Sequence, residues 1–517
     1  MKKRLAIFLA LAIIVVIVVS AFAAMEIYGS FSAPVASKKP FYVGVTYCGD
    51  NVTEAEQLID RVKTYTNLFV VQSGPLMDNG TALEQICDYA VNSGLNIIVY
   101  MANGVTTINV PSFLDSAQAS WGSHFLGMYY DDEPGGKMLD STVNLYINNE
   151  RVTKQQMGAP LTVNYDNSTG FVLFWPSGQI TTSIGSTTNE TVNGISNVTV
   201  TKNASINYYP NGTITSSPDQ TSNYPNGTSV YVYEDQITYQ PNGEVINGTE
   251  VVMTGYPNGT YVTNRNQPIS NPGNISQFEP YQELWDSRPL QTYNEAANAF
   301  VSTEQQTLSS IGNQSDINLF TSDYGLYWFD YLGGYNTVFA ELFGTQTDAQ
   351  TLALVRGAAD MQDKSWGAMI EWANRASISL QTGDQMYSEM KQSYESDAEY
   401  VIVFNYSPSD NGTGLLQDEQ FGAIQRFWTD VVQNPKDTNN VTAQDALVLP
   451  NDYGWGMRNQ NDTIWGLWQP DNSSQQVWNA LQASLSKYGS KLDIIYDDPA
   501  YPTAGRYQHV IYWNQTI

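Results

Sequence analysis

The chain has 517 residues and a net charge of −28, yet charged residues make up only 14% of it, against a usual share of about 25%. Asn, Gln, Ser, Thr and Tyr stand in their place, and such a neutral-polar surface with an acidic excess argues against nucleic acid or anionic lipid as a partner. Two histidines, His124 and His509, exclude a His-rich metal centre, and two cysteines, Cys48 and Cys87, cannot build a disulfide framework, although they could pair in an oxidising compartment.

Met1, Lys2, Lys3 and Arg4 precede an unbroken apolar run from Leu5 to Ala24. Basic residues stay on the cytoplasmic side, and about 20 apolar residues suffice to cross a hydrocarbon core. The run is therefore read as an export signal over 1–24. It is either cleaved near Ala21-Phe22-Ala23 or kept as an N-terminal membrane anchor, and its length favours the anchor. The rest is expected outside the cell or on its surface, as a secreted or membrane-anchored ectodomain. About eighteen Asn-x-Ser/Thr sequons, among them Asn79, Asn197, Asn211, Asn226, Asn258 and Asn461, suit a glycoprotein.

Short apolar runs then alternate with segments of helical period. Phe41 to Tyr47, Leu68 to Gln72, Asn96 to Met101 and Phe125 to Tyr130 read as strands, with helices over Thr53 to Tyr65 and Thr81 to Ser93. Such alternation implies a parallel sheet. It stops for about 150 residues, where Pro-Asn-Gly recurs at Asn211, Asn226, Asn242 and Asn258, at intervals of 15 or 16 residues. Asn-Gly supplies the two positive-φ residues of a type I′ turn, so this region is expected to be a β module of consecutive hairpins. Alternation returns with a helix from Thr292 to Ile311 and strands at Ile317 to Ser322, Thr337 to Leu342, Trp366 to Trp372 and Tyr400 to Tyr406. Helices are expected over Asp348 to Gln362, around Gln385 to Ser396, and from about Gln417 to Val432.

Eight strands over roughly 245 residues match a TIM (β/α)8 barrel of about 250. The expected fold is thus α/β, with the barrel in two halves, 40–136 and 290–435. An all-β hairpin insertion after strand 4 occupies 137–289, and a small C-terminal α/β appendage 436–517. That appendage reads as strands at Ala446 to Leu449, Leu492 to Tyr496 and His509 to Trp513, a helix from Gln475 to Tyr488, and a loop bearing Trp455, Trp465 and Trp468 that packs on the barrel.

In such a barrel functional groups sit where the strands end. Glu133, in Asp132-Glu133-Pro134, follows the fourth strand, and Glu371, in Ile370-Glu371-Trp372, closes the seventh. In this the chain resembles the clan of (β/α)8-barrel glycosidases that place an acid/base glutamate after strand four and a nucleophilic glutamate on strand seven. Asp132 stands where that clan carries the asparagine that bonds the sugar 2-hydroxyl. The resemblance implies Glu133 as acid/base, Glu371 as nucleophile, and no cofactor or metal.

The two-carboxylate chemistry has its own logic. A glycosidic oxygen must be protonated as it leaves, while the oxocarbenium-like carbon is met by an anion or an activated water. Asp131 and Asp132 supply negative charge that would raise the pKa of Glu133, and Arg375 would favour ionised Glu371. Other pairings stay open. Asp131-x-Glu133 resembles the end of the chitinase signature, with Gly127 and Tyr129 where its upstream aspartates would stand, and Glu341 at the end of strand six offers a pair with Glu133. The bland readings are a helix-entry turn for 131–133 and a salt bridge of Glu371 to Arg356 or Arg375. Asp132, Tyr129, Tyr130, Asp323, Tyr324, Trp328, Trp372 and Tyr406 are the expected substrate contacts, the aromatic ones as platforms for pyranose rings. The function so read is an extracytoplasmic glycoside hydrolase with a carbohydrate substrate. The competing class is a non-catalytic glycan-binding or surface-layer protein on the same scaffold.

Overall fold

The computed structural model describes residues 40–101, 108–156, 158–164, 170–234, 236–246, 248–269, 273–309, 311, 317–343, 347–373, 378–407, 414–434 and 442–515. The expected export segment and Arg375 lie outside these residues, and among the described ones no helix is long and apolar enough to cross a membrane.

Eight parallel strands close into a barrel: β1 (Tyr42–Tyr47), β2 (Leu68–Val71), β3 (Asn96–Met101), β4 (Phe125–Tyr130), β5 (Asn318–Asp323), β6 (Thr337–Leu342), β7 (Ser365–Ile370) and β8 (Tyr400–Val403). Each strand is followed by a helix, and β5 is also preceded by one: α1 (Val52–Val62), α2 (Gly80–Asn92), α3 (Val110–Trp121), α4 (Pro134–Asp140), α5 (Tyr293–Ser309, before β5), α6 (Tyr327–Gly333), α7 (Asp348–Met361), α8 (Gly383–Glu395) and α9 (Asp418–Phe427). The helices cap themselves: Asn51, Asn79 and Asn109 accept backbone N–H groups at the starts of α1, α2 and α3, and Thr382 with Gln385 forms a capping box on α8. Inside the ring lie Leu68, Val70, Ile98, Tyr129, Phe320, Phe339, Met369, Tyr400 and Ile402, so the barrel is filled with side chains. Strand β8 ends at Val403, earlier than its apolar run suggests.

The seam between β4 and β5 joins strands far apart in the chain, and it depends on one glycine. Gly127 has φ +144°, and a Cβ there would lie 2.2 Å from the Asn318 carbonyl oxygen. The pairing of β3 with β4 slips at this point, with Ile97 opposite Phe125 but Ile98 opposite Gly127. Gly127→Ala is therefore expected to destabilise the protein by about 1–3 kcal/mol from backbone strain, with the contact adding to it. Thermal melting checks this.

Between α4 and α5 the chain forms a twelve-stranded sheet, antiparallel in every pairing. Its repeated turns are not type I′. Gly212, Gly227, Gly243 and Gly259 have φ between +83° and +88°, but the asparagines before them are not at positive φ. Proline fixes the preceding φ near −65°, so Pro-Asn fills the centre of a type I turn and glycine takes the left-handed place after it. The bonds agree: the Gly212 N–H meets the Tyr209 carbonyl and the Tyr209 N–H meets the Thr213 carbonyl, each at 2.9 Å. Asn148-Asn149 and Asn193-Gly194, each with both φ values positive, are where type I′ turns do occur. Neighbouring turns touch, those around Gly178, Gly212 and Gly243 at one end of the sheet and those around Gly227 and Gly259 at the other. A Cβ on Gly178 would meet Pro210 at 2.9 Å, one on Gly212 would meet Pro241 at 3.2 Å, and one on Gly227 would meet Pro257 at 3.1 Å.

Residues beyond 442 add a parallel three-stranded sheet, Leu492–Tyr496, Asp445–Leu449 and His509–Tyr512 in spatial order, with a helix over Asn472–Tyr488. Arg356 of α7 is buried and pairs with Asp493 at 2.7 Å, so it is not a partner of Glu371. Trp465 packs on Phe300 and Phe329, and Trp455 is likewise buried. Cys48 and Cys87 are both free: Cys87 is on the buried face of α2, while Cys48 follows β1 at the barrel rim.

Candidate functional site

Side chains on a strand alternate, so the apolar interior columns can be followed upward in steps of two. Phe339 leads to Glu341, Met369 to Glu371, Phe320 to Ser322, Val70 to Gln72 and Ile98 to Tyr100. The interior is apolar below and becomes polar at the carboxyl ends of the strands. Glu341 and Glu371 are 4% and 5% exposed, and the Glu371 N–H still bonds the Leu342 carbonyl, so the backbone holds both in place.

After β4 the geometry changes. Asp131 and Glu133 adopt left-handed φ values of 56° and 53°, a conformation that costs non-glycine residues about 1–3 kcal/mol each. Several contacts hold this strained turn. The Asp131 N–H bonds Met101 and the Glu133 N–H bonds Ser322 at 3.0 Å; Lys137 Nζ reaches the Asp132 carbonyl and lies 3.7 Å from the Asp131 carboxylate. The turn brings Asp132 over the interior. Tyr129, fully buried, donates to Asp132, lies 2.7 Å from Ser322 Oγ, and receives the Ser322 N–H at 3.2 Å and the Gln72 amide at 3.4 Å. Ser322 in turn donates to Glu341 at 2.5 Å.

Asp132 and Glu341, from strands on either side of β5, are thus linked through two hydroxyls. Burial, and then the negative charge of Glu133, push the Asp132 carboxyl above its ordinary range, with Lys137 opposing. Burial raises the Tyr129 hydroxyl further, helped by Asp132 and Glu341. The Cys48 thiol is pushed up to about 12, chiefly by burial, with Asp132 and Glu371 adding to the effect despite its bond to Thr46. Asp132 and Glu371 therefore both lie within electrostatic reach of one thiol. Glu133 acts on Asp132, Tyr100 and Asp323 in the same way.

Glu133 stands at the N-cap of α4 but makes no side-chain cap bond there. Asp323 does that work from β5. Its carboxylate, fully buried, accepts the Gly135 N–H at 2.6 Å and the Gly136 N–H at 2.8 Å, along with those of Tyr324 and Gly325. Asp330 of α6 is equally buried beside it; burial holds both carboxyls above their ordinary range, with the charge of Glu133 adding to it at Asp323 and the charges of Asp323 and Glu304 adding to it at Asp330. At the far end of α4, buried Lys154 donates to the Leu139 and Ser141 carbonyls, where a cation suits the helix dipole. Arg458 joins Asp140 to Asp462 at the same end.

Several expected contacts are placed otherwise. Asp323 is occupied as a backbone cap, so it is a positioning residue. Tyr129 is buried within the network. Tyr130 is 4% exposed, on the opposite column of β4. Trp328 packs between Tyr496 and Tyr501, and Tyr324 bonds Asp140 with its ring edge-on to Phe343. Neither offers a free face to a sugar. Trp372 and Tyr406 do remain on the β7–β8 side, grouped with Phe404 at centroid separations of 5.6 to 6.4 Å, and Tyr406 is 38% exposed. The residues that were not anticipated are Ser322, Gln72, Tyr100 and Cys48. They are findable by counting in twos from the apolar interior, a signal that works for neutral residues as well as acids. Among the described residues no group of three or more His, Cys, Asp or Glu is arranged to hold a metal ion.

No family model matches the chain, and no curated protein matches it. Among solved structures, the TCP domain of SAS-4 from Drosophila melanogaster, in complex with a proline-rich motif of Ana2, aligns with 24% of this chain and 88% of its own. Identity is 11% and the TM-score 0.09, too low to relate the two folds.

Proposed function

We propose that the chain is an extracytoplasmic glycoside hydrolase acting on polysaccharide or glycan by a two-carboxylate, retaining mechanism, on a TIM-type barrel. The twelve-stranded sheet is then an insertion after strand four, and the C-terminal sheet an appendage. The observation that carries this reading is the gathering of Asp132, Glu133, Glu341 and Glu371 at the carboxyl ends of strands four, six and seven, joined in part by the Tyr129 and Ser322 hydroxyls. Acids set at one end of a closed barrel, with differing burial, are what glycosidic cleavage needs.

In this reading Glu133 gives its proton to the glycosidic oxygen as the C–O bond breaks, and the Glu371 carboxylate forms a bond to the anomeric carbon. The leaving alcohol departs. Glu133, now ionised, takes a proton from water, whose oxygen displaces Glu371 and restores both groups. Asp132 and Glu341 are hydrogen-bonded within the network and hold the charge pattern around the pair. Tyr406, exposed beside Trp372, supplies a stacking face. The test is incubation of the whole chain with a panel of defined oligosaccharides, following the anomer first released by NMR. Release of the same anomer as the substrate is expected. Hydrolysis with inversion would remove Glu371 as nucleophile, and no hydrolysis of any member would remove the reading itself.

A further inference from the structure

A cleft of about 590 Å³ opens between the first strands of the antiparallel sheet and the flank of α5, within the size range of small-ligand sites. Its floor includes Phe174, which ends the sheet's own apolar core, and Tyr146 stands at its edge, 42% exposed. Tyr146 is fixed there, since its N–H bonds Thr303 of α5 at 3.0 Å. Arg288 lies in the wall with its guanidinium 4.1 Å above the Trp285 ring, and Trp285 is itself stacked on Tyr281. Among the described residues no carboxylate pairs with Arg288. Its fork is thus oriented by stacking and by a long bond from Nη1 to the Trp285 carbonyl at 3.4 Å, while its other donors face no carboxylate. Glu150, Glu295 and Asn298 complete the polar rim, with Glu295 held by the Gln291 and Thr292 N–H groups.

We propose that this cleft is a second, non-catalytic saccharide site that takes an uncharged pyranose unit, with Arg288, Glu150 and Asn298 on its hydroxyls and Tyr146 and Phe174 against its apolar face. Planar polar groups around aromatic rings match a sugar, which has apolar faces and a hydroxylated rim. Charge selects the neutral kind. Two carboxylates outweigh one guanidinium locally, and the chain as a whole carries −28, so an acidic glycan is repelled. The position is useful as well. Helix α5 leads into β5, so its first turns stand at the carboxyl end of the strands, the same end as Glu133. The choice of a saccharide rests on the glycan reading above, but the geometry of the cleft does not.

Calorimetric titration of the whole chain, and of its Glu371→Gln variant, with neutral hexasaccharides of glucose, mannose and N-acetylglucosamine and with oligogalacturonate tests this. At least one neutral hexasaccharide should bind both proteins, and Arg288→Gln and Tyr146→Ala should each weaken binding about tenfold or more. Melting temperature and hydrolysis of a small aryl glycoside should stay at the parent level in these two variants. Absence of neutral binding, binding indifferent to both substitutions, or preference for oligogalacturonate would overturn the proposal. Hydrolysis without Arg288-dependent binding defeats the cleft alone. Arg288-dependent binding without hydrolysis defeats the catalytic reading alone.

Discussion

Glu133→Gln is expected to slow hydrolysis of an alkyl-linked oligosaccharide by roughly 10²–10⁴-fold, the usual contribution of a general acid, while leaving the first step on a nitrophenyl glycoside nearly intact. A nitrophenolate departs without being protonated, so a missing acid matters little to it. Glu371→Gln should differ in kind. It removes the group that meets the anomeric carbon, so both substrates should slow, by on the order of 10⁴-fold or more. Glu133 also serves as base in the second step, so the roles are separated by kcat/KM on the two substrate types and by the burst of nitrophenolate, both of which read the first step alone. Equal losses on both substrates for Glu133→Gln would show that it is not the proton donor. An unimpaired Glu371→Gln would move the nucleophile elsewhere, with Glu341, on the neighbouring strand and already bonded to Ser322, the next group to replace.

Folding stability should be greatest in mildly acidic solution and fall by several kcal/mol as the pH rises from about 5 to above 8. Glu304, 8% exposed on α5, is pushed up to about 8 by burial and then by the charge of Asp131, although Tyr335 donates to it. Glu389 on α8 is also pushed up to about 8, by burial and then by Asp348. Asp323 and Asp330 are raised in the same direction. A carboxyl whose folded pKa exceeds its unfolded one contributes fully below the unfolded value, and the contribution is lost as the pH climbs through the folded one. All four groups therefore act together. Lys154, lowered to about 8 by burial, works in the opposite sense, but only above that pH. Urea midpoints at pH 5 and pH 8 measure the slope, and Glu304→Gln with Glu389→Gln should flatten it. A slope that the double variant leaves unchanged would place the effect elsewhere.

The barrel is readable because each strand is an apolar run bounded by helical period, and burial on both faces demands such runs. Helix α6 escapes that logic. Six of its seven residues, Tyr327 through Tyr331 and Gly333, are buried, so no polar face marks it as a helix, and its aromatic rings look like sugar platforms when they are core. Helix α3 is similarly masked by Pro111 and a weakly polar stretch, although Asn109 caps it. For the hairpins the period was legible but the turn type was not, because the proline before each Asn-Gly decides which residues can take positive φ. In the site, Glu341 and Glu371 announce themselves as acids at strand ends. Asp323 looks the same in sequence but faces backbone amides, and only the chain crossing from β4 to β5 shows it. The short link from Asp132 through Tyr129 and Ser322 to Glu341 joins three strands, and no local pattern contains it.

The contact of three of the four turn prolines with the glycine of an adjoining turn, Pro210 on Gly178, Pro241 on Gly212 and Pro257 on Gly227, bears on how this sheet can change in length. A hairpin copied in tandem would carry both halves of that fastening, the ring to lay down and the bare backbone to receive the next one. Growth or loss of whole hairpins at the outer edge would then leave the inner strands, and the seam held by Gly127, as they are.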